Sequence, residues 1–347
     1  FLLVKERAWI EKVMATGVTS AVMALSLALG MGVAGVVAAT LAGASCALLL
    51  GSILLARMAP GILSSSSPCA PLRVRRLLSE SWPLMGTSML AFLLLWSDVL
   101  LMGVFRDSDE VGVYSACARL APAIMLAHES LGPIFIARLS DLFASQDWRG
   151  IRHLYELTAR WAMWPGLVMA WTLVLFRSDL LALLGAEFSA GATALAVLAS
   201  GKAVAASMGM SGRVFAVSGK ARINLINMAL LVGGNILLNL LWIPEYGALG
   251  AAAATSLSLA TVRTLQVVEL WFLHRMLPWS VKCLIPVLGI SLLAGVTYPF
   301  RAGLAGQFGW LLPLALFLAG CTVLFLCAGV SEEDRNVWRA LRQKLGR

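Results

Sequence analysis

Ten predominantly apolar runs, most of them about 20 residues long, dominate this chain and leave few folds open to it. They fall at residues 13–31, 34–56, 83–105, 112–134, 160–177, 191–213, 223–243, 248–271, 283–300 and 308–328. Each is long enough to cross the hydrocarbon core of a bilayer as a helix, and none alternates with the period of a strand. The 347 residues are 60% hydrophobic and 13% charged, with a mean hydropathy of +0.85. Soluble chains sit nearer half apolar and about a quarter charged, and a core large enough to hide this much apolar surface does not fit in a chain of this size. Lipid removes the difficulty, because the outward faces are then apolar too. With no water to satisfy the backbone, helices close their own hydrogen bonds. The expected class is all-α, a polytopic transmembrane bundle of about ten spanning helices.

Charge gives the expected orientation. Of the 27 Lys and Arg residues, 21 lie in the N-terminal segment, the C-terminal tail and alternate connections, 3 (Arg106, Arg177, Arg301) lie in the opposite connections, and 3 (Arg119, Lys202, Arg263) lie within spans. Cytoplasmic loops carry the excess of Lys and Arg, so both ends of the chain are expected in the cytoplasm, which an even number of spans allows. The net charge of +9 is accounted for by topology and anionic lipid, without a nucleic-acid partner.

Two connections are long. Residues 57–81 hold a Ser-rich stretch, Pro60, Pro68, Pro71 and four arginines (Arg57, Arg73, Arg75, Arg76), and read as a linker between helix bundles. In 141–159, Trp148, Ile151, Tyr155 and Thr158 share one helical face with charges elsewhere, which predicts an amphipathic helix in the interface plane. The six cysteines are scattered without metal-ligand spacing and read as packing residues. Residue 1 is Phe, with no signal-peptide pattern before the first run, so the chain is expected to be a fragment lacking upstream helices. No P-loop, HExxH or paired-carboxylate motif appears, and no soluble segment is large enough to hold a nucleotide, so no enzyme activity, cofactor or metal is expected.

Ionisable residues at membrane depth are costly and are functional candidates for that reason. Asp98 lies 7 residues before the outer end of its span and Arg119 lies 7 residues into the next. Both therefore sit about 10 Å below the outer boundary, where an ion pair or a shared polar cavity is reasonable. A structural pair clamping two helices is the plainer alternative. Lys202 falls near mid-membrane, and Arg263 in the inner half of its helix with Ser256 and Ala252 on its face. His128, roughly opposite Arg119 around the helix, reads as structural, and Asn227, Asn235 and Asn239 as bonds between helices. The deep charge is mostly cationic and accompanied by small residues, a setting that suits an anionic substrate.

Several stretches carry a family likeness. SDVLLMGVF from Ser97, EVGVYSACARLAPAI (Glu110 to Ile124), PIFIARLSDLF from Pro133, LLALLGAEFSAGATALAVLASG (Leu180 to Gly201) and NILLNLLWIPEYGALGAAAAT (Asn235 to Thr255) occur in this order. Together they resemble the polysaccharide branch of the multidrug/oligosaccharidyl-lipid/polysaccharide flippase superfamily, the Wzx-type O-antigen flippases. The likeness covers about half the chain directly. It implies a two-lobe, MATE-like flippase fold, often with two extra helices. Residues 1–58 would be the last two helices of the first lobe, 59–81 a cytoplasmic linker, 82–276 the second six-helix lobe, 277–330 the additional pair and 331–347 a cytoplasmic tail.

The implied function is to flip a polyprenyl-pyrophosphate-linked oligosaccharide across the inner (cytoplasmic) membrane by alternating access. Arg119 and Asp98 match places where the family puts charge. Lys202 and Arg263 join them as candidate cavity residues from depth alone, Arg119 and Lys202 neutralising phosphate. Asp98 would modulate Arg119 or couple transport to H⁺ or Na⁺. Lipid-linked oligosaccharide, membrane lipids and polysaccharide polymerase machinery are the expected partners. The alternatives are a cation-coupled multidrug exporter, a peptidoglycan-precursor flippase, and a membrane scaffold or enzyme of polysaccharide synthesis.

Overall fold

The computed structural model describes residues 15–58, 74–280, 283–301 and 309–329. The basic N-terminal segment, most of the 57–81 linker and the C-terminal tail lie outside the described residues. Two compact units, Phe1–Val74 and Arg75–Arg347, divide the chain. In the first, helices α1 (Ala15–Ala28) and α2 (Gly32–Met58) are joined through Gly30 at φ +69°. They cross tightly, since a Cβ on Gly35 would stand only 2.5 Å from that of Ser26. Small residues permit such crossings where lipid offers no hydrophobic drive for association.

The second unit, in its described residues, forms helices joined by short turns, with no strand among them. It runs α3 (Val74–Phe105), α4 (Ser108–Leu120), a 3-10 turn (Ala121–Met125), α5 (Leu126–Ala144), α6 (Trp148–Leu175), the short α7 (Arg177–Ala182), a second 3-10 turn (Ala186–Gly191), α8 (Ala192–Ser207), the short α9 (Ser211–Val217), α10 (Ala221–His274), α11 (Leu284–Arg301) and α12 (Leu311–Leu324). Five described helical stretches are long and apolar enough to cross a membrane, from Ala34–Ile53 to Ala221–His274, with three shorter apolar helices beside them. Leu95, Leu100, Val104, Leu288 and Leu292 are among many large apolar side chains left exposed. Water would not tolerate that outer surface, and lipid does. The all-α membrane bundle expected from the sequence is the fold observed.

The 54-residue α10 is a hairpin of two arms. Gly247 breaks it at φ +56°, ψ −132°, and Asn235 on the first arm donates to Thr255 on the second. Arg106 and Glu110 of the neighbouring α3–α4 turn clamp the break. Arg106 donates to the carbonyls of Ile243 (3.1 Å) and Pro244 (3.0 Å), and Glu110 accepts from the Ala248 N–H at 2.7 Å. Pro244 lacks an N–H and the turn frees backbone groups of its own, and these side chains supply partners for them. A Cβ on Gly247 would both force a left-handed residue and collide with the Glu110 carboxylate. Gly247→Ala is therefore expected to cost about 1–3 kcal/mol, read as a lower thermal unfolding midpoint of the detergent-solubilised protein.

Two expectations need correction. Residues 148–159 are not a separate interfacial helix: they are the first three turns of the 28-residue α6. Ile151, Tyr155 and Thr158 are buried, the first two against Phe135 of α5 and Met210 and Phe215 at α9, while Trp148 of the same expected face is half exposed and stacks on His274. Further along, Trp164 and Leu175 of α6 pack on Ile290, Ala294 and Phe317 of α11 and α12, and Ala170 and Leu173 on Ala199 and Ala206 of α8. Protein packs against α6 on several sides, while Arg149, Arg152 and His153 near its start stay exposed. The second correction concerns register. Pro122 lies in the 3-10 turn between α4 and α5, so the run 112–134 is not one continuous α-helix and its side-chain register shifts midway.

Candidate functional site

Asp98, on α3, is 7% exposed and sits in a hydrogen-bonded cage. Its Oδ1 accepts from the Asn239 amide at 2.7 Å, and its Oδ2 accepts from the hydroxyls of Tyr114 (2.9 Å) and Thr255 (2.6 Å). The ring closes through Asn235, whose Oδ1 accepts from Ser97 (3.0 Å) and Asn239 (3.1 Å), and whose amide donates to Thr255 at 3.0 Å. Four segments, α3, α4 and both arms of α10, are tied by one carboxylate. A buried charge is tolerable only when paired or amply hydrogen-bonded, and three strong neutral donors meet that need. The Asn239 Oδ1 is buried without a hydrogen-bond partner, leaving one acceptor unused in the cage.

The expected Asp98–Arg119 pair is not formed. Tyr114 and Cys117 occupy the buried face of α4, and Arg119 is exposed with no bond to Asp98. Five residues of helix turn the side chain by about 140°, so Tyr114 and Arg119 cannot both face α3. Proximity needs a shared azimuth, and α4 gives that azimuth to Tyr114.

Lys202 and Arg263 do lie inward. Lys202 follows Gly201 on α8, where a Cβ would collide with Ser256 on the second arm of α10, and Ser256 donates to the Val197 carbonyl at 2.9 Å. Asp98 and Arg263 are the charged groups that act on Lys202 there. No hydrogen bond or ion pair joins Lys202 to another described residue. A cleft of about 660 Å³ opens beside this crossing, lined by Arg177, Thr193, Ser200 and Ser256 among apolar residues such as Val204 and Leu257. Arg263 donates to Gln266 at 3.0 Å, and Gln266 donates to Asn224 at 3.3 Å. Asn227, expected to bond between helices, donates to Glu269 at 2.5 Å across the two arms.

Arg213, read from the sequence as part of a connection, turns inward. Its guanidinium donates to the His128 carbonyl (2.9 Å) and to Glu129 (3.2 Å), lying across Gly132 of α5. The structure thus gathers Asp98, Lys202, Arg263 and Arg213 within the bundle and leaves Arg119 at its surface. Substituting Gly201 by Leu is expected to separate α8 from α10. Loss of close packing of this kind costs about 1–3 kcal/mol and is measurable by thermal unfolding in detergent.

With the geometry established, likenesses to known proteins take on meaning. The chain has the fold of MurJ- and MATE-type transporters. It superimposes on the structure of the lipid II flippase MurJ in an inward closed conformation with a TM-score of 0.69, at 13% identity, covering 89% of this chain and 65% of that one. On an outward-facing MATE multidrug resistance transporter the TM-score is 0.51, at 16% identity, covering 71% and 63%. In sequence, residues 10–133 match the family described as polysaccharide biosynthesis protein. Two relatives come from Haloferax volcanii. The probable low-salt glycan biosynthesis flippase Agl15 is 24% identical over 59% of this chain and 44% of its own length, and the probable flippase AglR 26% identical over 56% and 40%. The chain spans less than half the length of these two relatives. It resembles the polysaccharide flippases of the multidrug/oligosaccharidyl-lipid/polysaccharide superfamily in sequence and shares the superfamily's fold.

Proposed function

We propose that this protein flips a polyprenyl-pyrophosphate-linked oligosaccharide across the inner (cytoplasmic) membrane for polysaccharide synthesis. The observation that carries this is the interior file of cations, Lys202 and Arg263, in a fold shared with a lipid II flippase. Two positive side chains held deep in a bundle are costly in lipid, and a polyanion crossing the same depth offsets that cost. The glycan and pyrophosphate pass along the file while the polyprenyl chain stays in lipid. Exposed Arg119 meets the pyrophosphate at the bundle surface and Lys202 and Arg263 meet it inside. Residues 82–276 act as one rocking lobe, 1–58 contribute to the other, and 277–330 form the additional pair. Both ends of the chain face the cytoplasm, following the 21 to 3 distribution of Lys and Arg between the two sides. The protein works as a transporter, not an enzyme, alongside membrane lipids and polysaccharide polymerase machinery.

Asp98 is the coupling group in this proposal. Its cage offers a carboxylate, an unused amide oxygen and hydroxyls within one shell, suited to holding H⁺ or Na⁺ and so to biasing the two arms of α10. The same cage favours a second reading, a cation-coupled multidrug exporter. The two separate in cells that depend on the full-length protein for surface glycan. Arg119→Ala and Lys202→Ala are expected to lower glycan export at normal expression. Wild-type export from both would overturn the cationic route. Drug sensitivity on deletion with glycan unchanged would favour the exporter.

A further inference from the structure

At the Lys220 end of the bundle, three groups from three segments converge without a matching set of anions. Arg213 on α9 lies over Gly132 and is held by the His128 carbonyl and the Glu129 carboxylate. Arg263, on the second arm of α10, has Arg213 and Glu129 as charged neighbours. Its Nη1 lies 3.8 Å from the position a Cβ on Gly212 would occupy. The only hydrogen bond given to the Arg263 guanidinium by the described residues is to a neutral acceptor, Gln266. The His128 ring is 4% exposed, has Arg263 and Arg213 as its charged neighbours, and neither ring nitrogen has a hydrogen-bond partner.

Two neighbouring guanidiniums repel each other unless an anion bridges them, and the one carboxylate bonded here is loosely held. Glu129 has a side chain 66% exposed and bonds Arg213 alone, through one oxygen. Its position is that of an exchangeable counter-ion. Guanidinium forks match the spacing of phosphate oxygens, and an unpartnered imidazole beside them supplies a further donor.

We propose that Arg213, Arg263 and His128 form an anion site for a phosphate or pyrophosphate group, which binds by displacing Glu129 from Arg213. Gly132 is part of the site because a side chain there would push the Arg213 guanidinium away. The site shares Arg263 with the proposed route past Lys202 and gives the proposed substrate a first point of capture at this end of the bundle; only that role rests on the flippase reading.

The test is calorimetric titration of inorganic pyrophosphate into the full-length protein in nanodiscs of zwitterionic lipid at fixed ionic strength. Charge-assisted hydrogen bonds of about 1.5–3 kcal/mol correspond to roughly tenfold or more in affinity. Arg213→Gln and Arg263→Gln are each expected to weaken binding by about that factor. Gly132→Ala should weaken it without removing a charge, Glu129→Gln should tighten it severalfold, and Lys220→Gln should leave it unchanged. Thermal midpoints identify any variant that fails to fold, and Glu129→Gln, which only removes a competitor, keeps the test decisive in that event. Wild-type affinity in Arg263→Gln, or no change in Glu129→Gln, overturns the proposal, as does the absence of pyrophosphate binding; the flippase reading would then still stand on Lys202. Pyrophosphate binding that anionic phospholipid in the nanodisc suppresses, but lipid-linked oligosaccharide does not, supports the site with a lipid headgroup as its ligand and counts against the flippase reading.

Discussion

Asp98→Leu is expected to destabilise the protein by about 3–5 kcal/mol and to abolish transport. The carboxylate is the common acceptor for Tyr114, Asn239 and Thr255. Removing it leaves three buried donors to find new partners in a bundle without water. Each buried group left unsatisfied costs about 1–3 kcal/mol, with some recovered by rotation of the hydroxyls. Asp98→Asn separates the structural from the coupling role. Its amide oxygen still accepts, so most of the cage survives, but a site that holds a cation or proton is gone. Thermal unfolding in detergent should show a small loss for Asp98→Asn and a large one for Asp98→Leu, while dependence of transport on a H⁺ or Na⁺ gradient disappears in both. A gradient response in Asp98→Asn equal to wild type would remove Asp98 from coupling.

Lys202→Met should give the opposite pattern, with stability unchanged or raised and transport reduced at least tenfold. The ammonium makes no hydrogen bond or ion pair to another described residue, so methionine removes a desolvation cost without breaking a bond, and apolar replacement of buried charge is often neutral or stabilising. If Lys202 serves only to steady the crossing of α8 on α10, transport should follow stability instead. Expression, unfolding midpoint and export measured together distinguish the two.

Much of the fold was legible because hydropathy reports the medium directly: a 20-residue apolar run has few places to go but a bilayer. What periodicity cannot report is which apolar medium a face meets. Ile151 and Tyr155 show the helical spacing of an interfacial helix, yet their medium is the protein core. Depth is likewise only half of a position. Depth alone cannot pair Asp98 with Arg119, because Tyr114 takes the azimuth that faces Asp98. A sequence signal for the true cage existed: Asn239 and Thr255 each lie 8 residues from Gly247. A sharp hairpin at that glycine brings them level, and Asn235 lies one helical turn further from the tip. Arg213 carried no such signal, because a short helix after Gly209 and Gly212 decides whether it faces outward or in.

The central claim is that an anionic, lipid-linked glycan crosses the membrane past the interior cations. Its most direct test is flipping of a polyprenyl-pyrophosphate-linked oligosaccharide in proteoliposomes containing the full-length protein, with Lys202→Met and Arg263→Met compared at equal protein content. The account predicts flipping by the wild type, at least tenfold slower flipping by either variant, and no flipping of a neutral glycolipid that lacks the pyrophosphate. Equal rates for wild type and both variants, or equal rates for charged and neutral lipids, would contradict it.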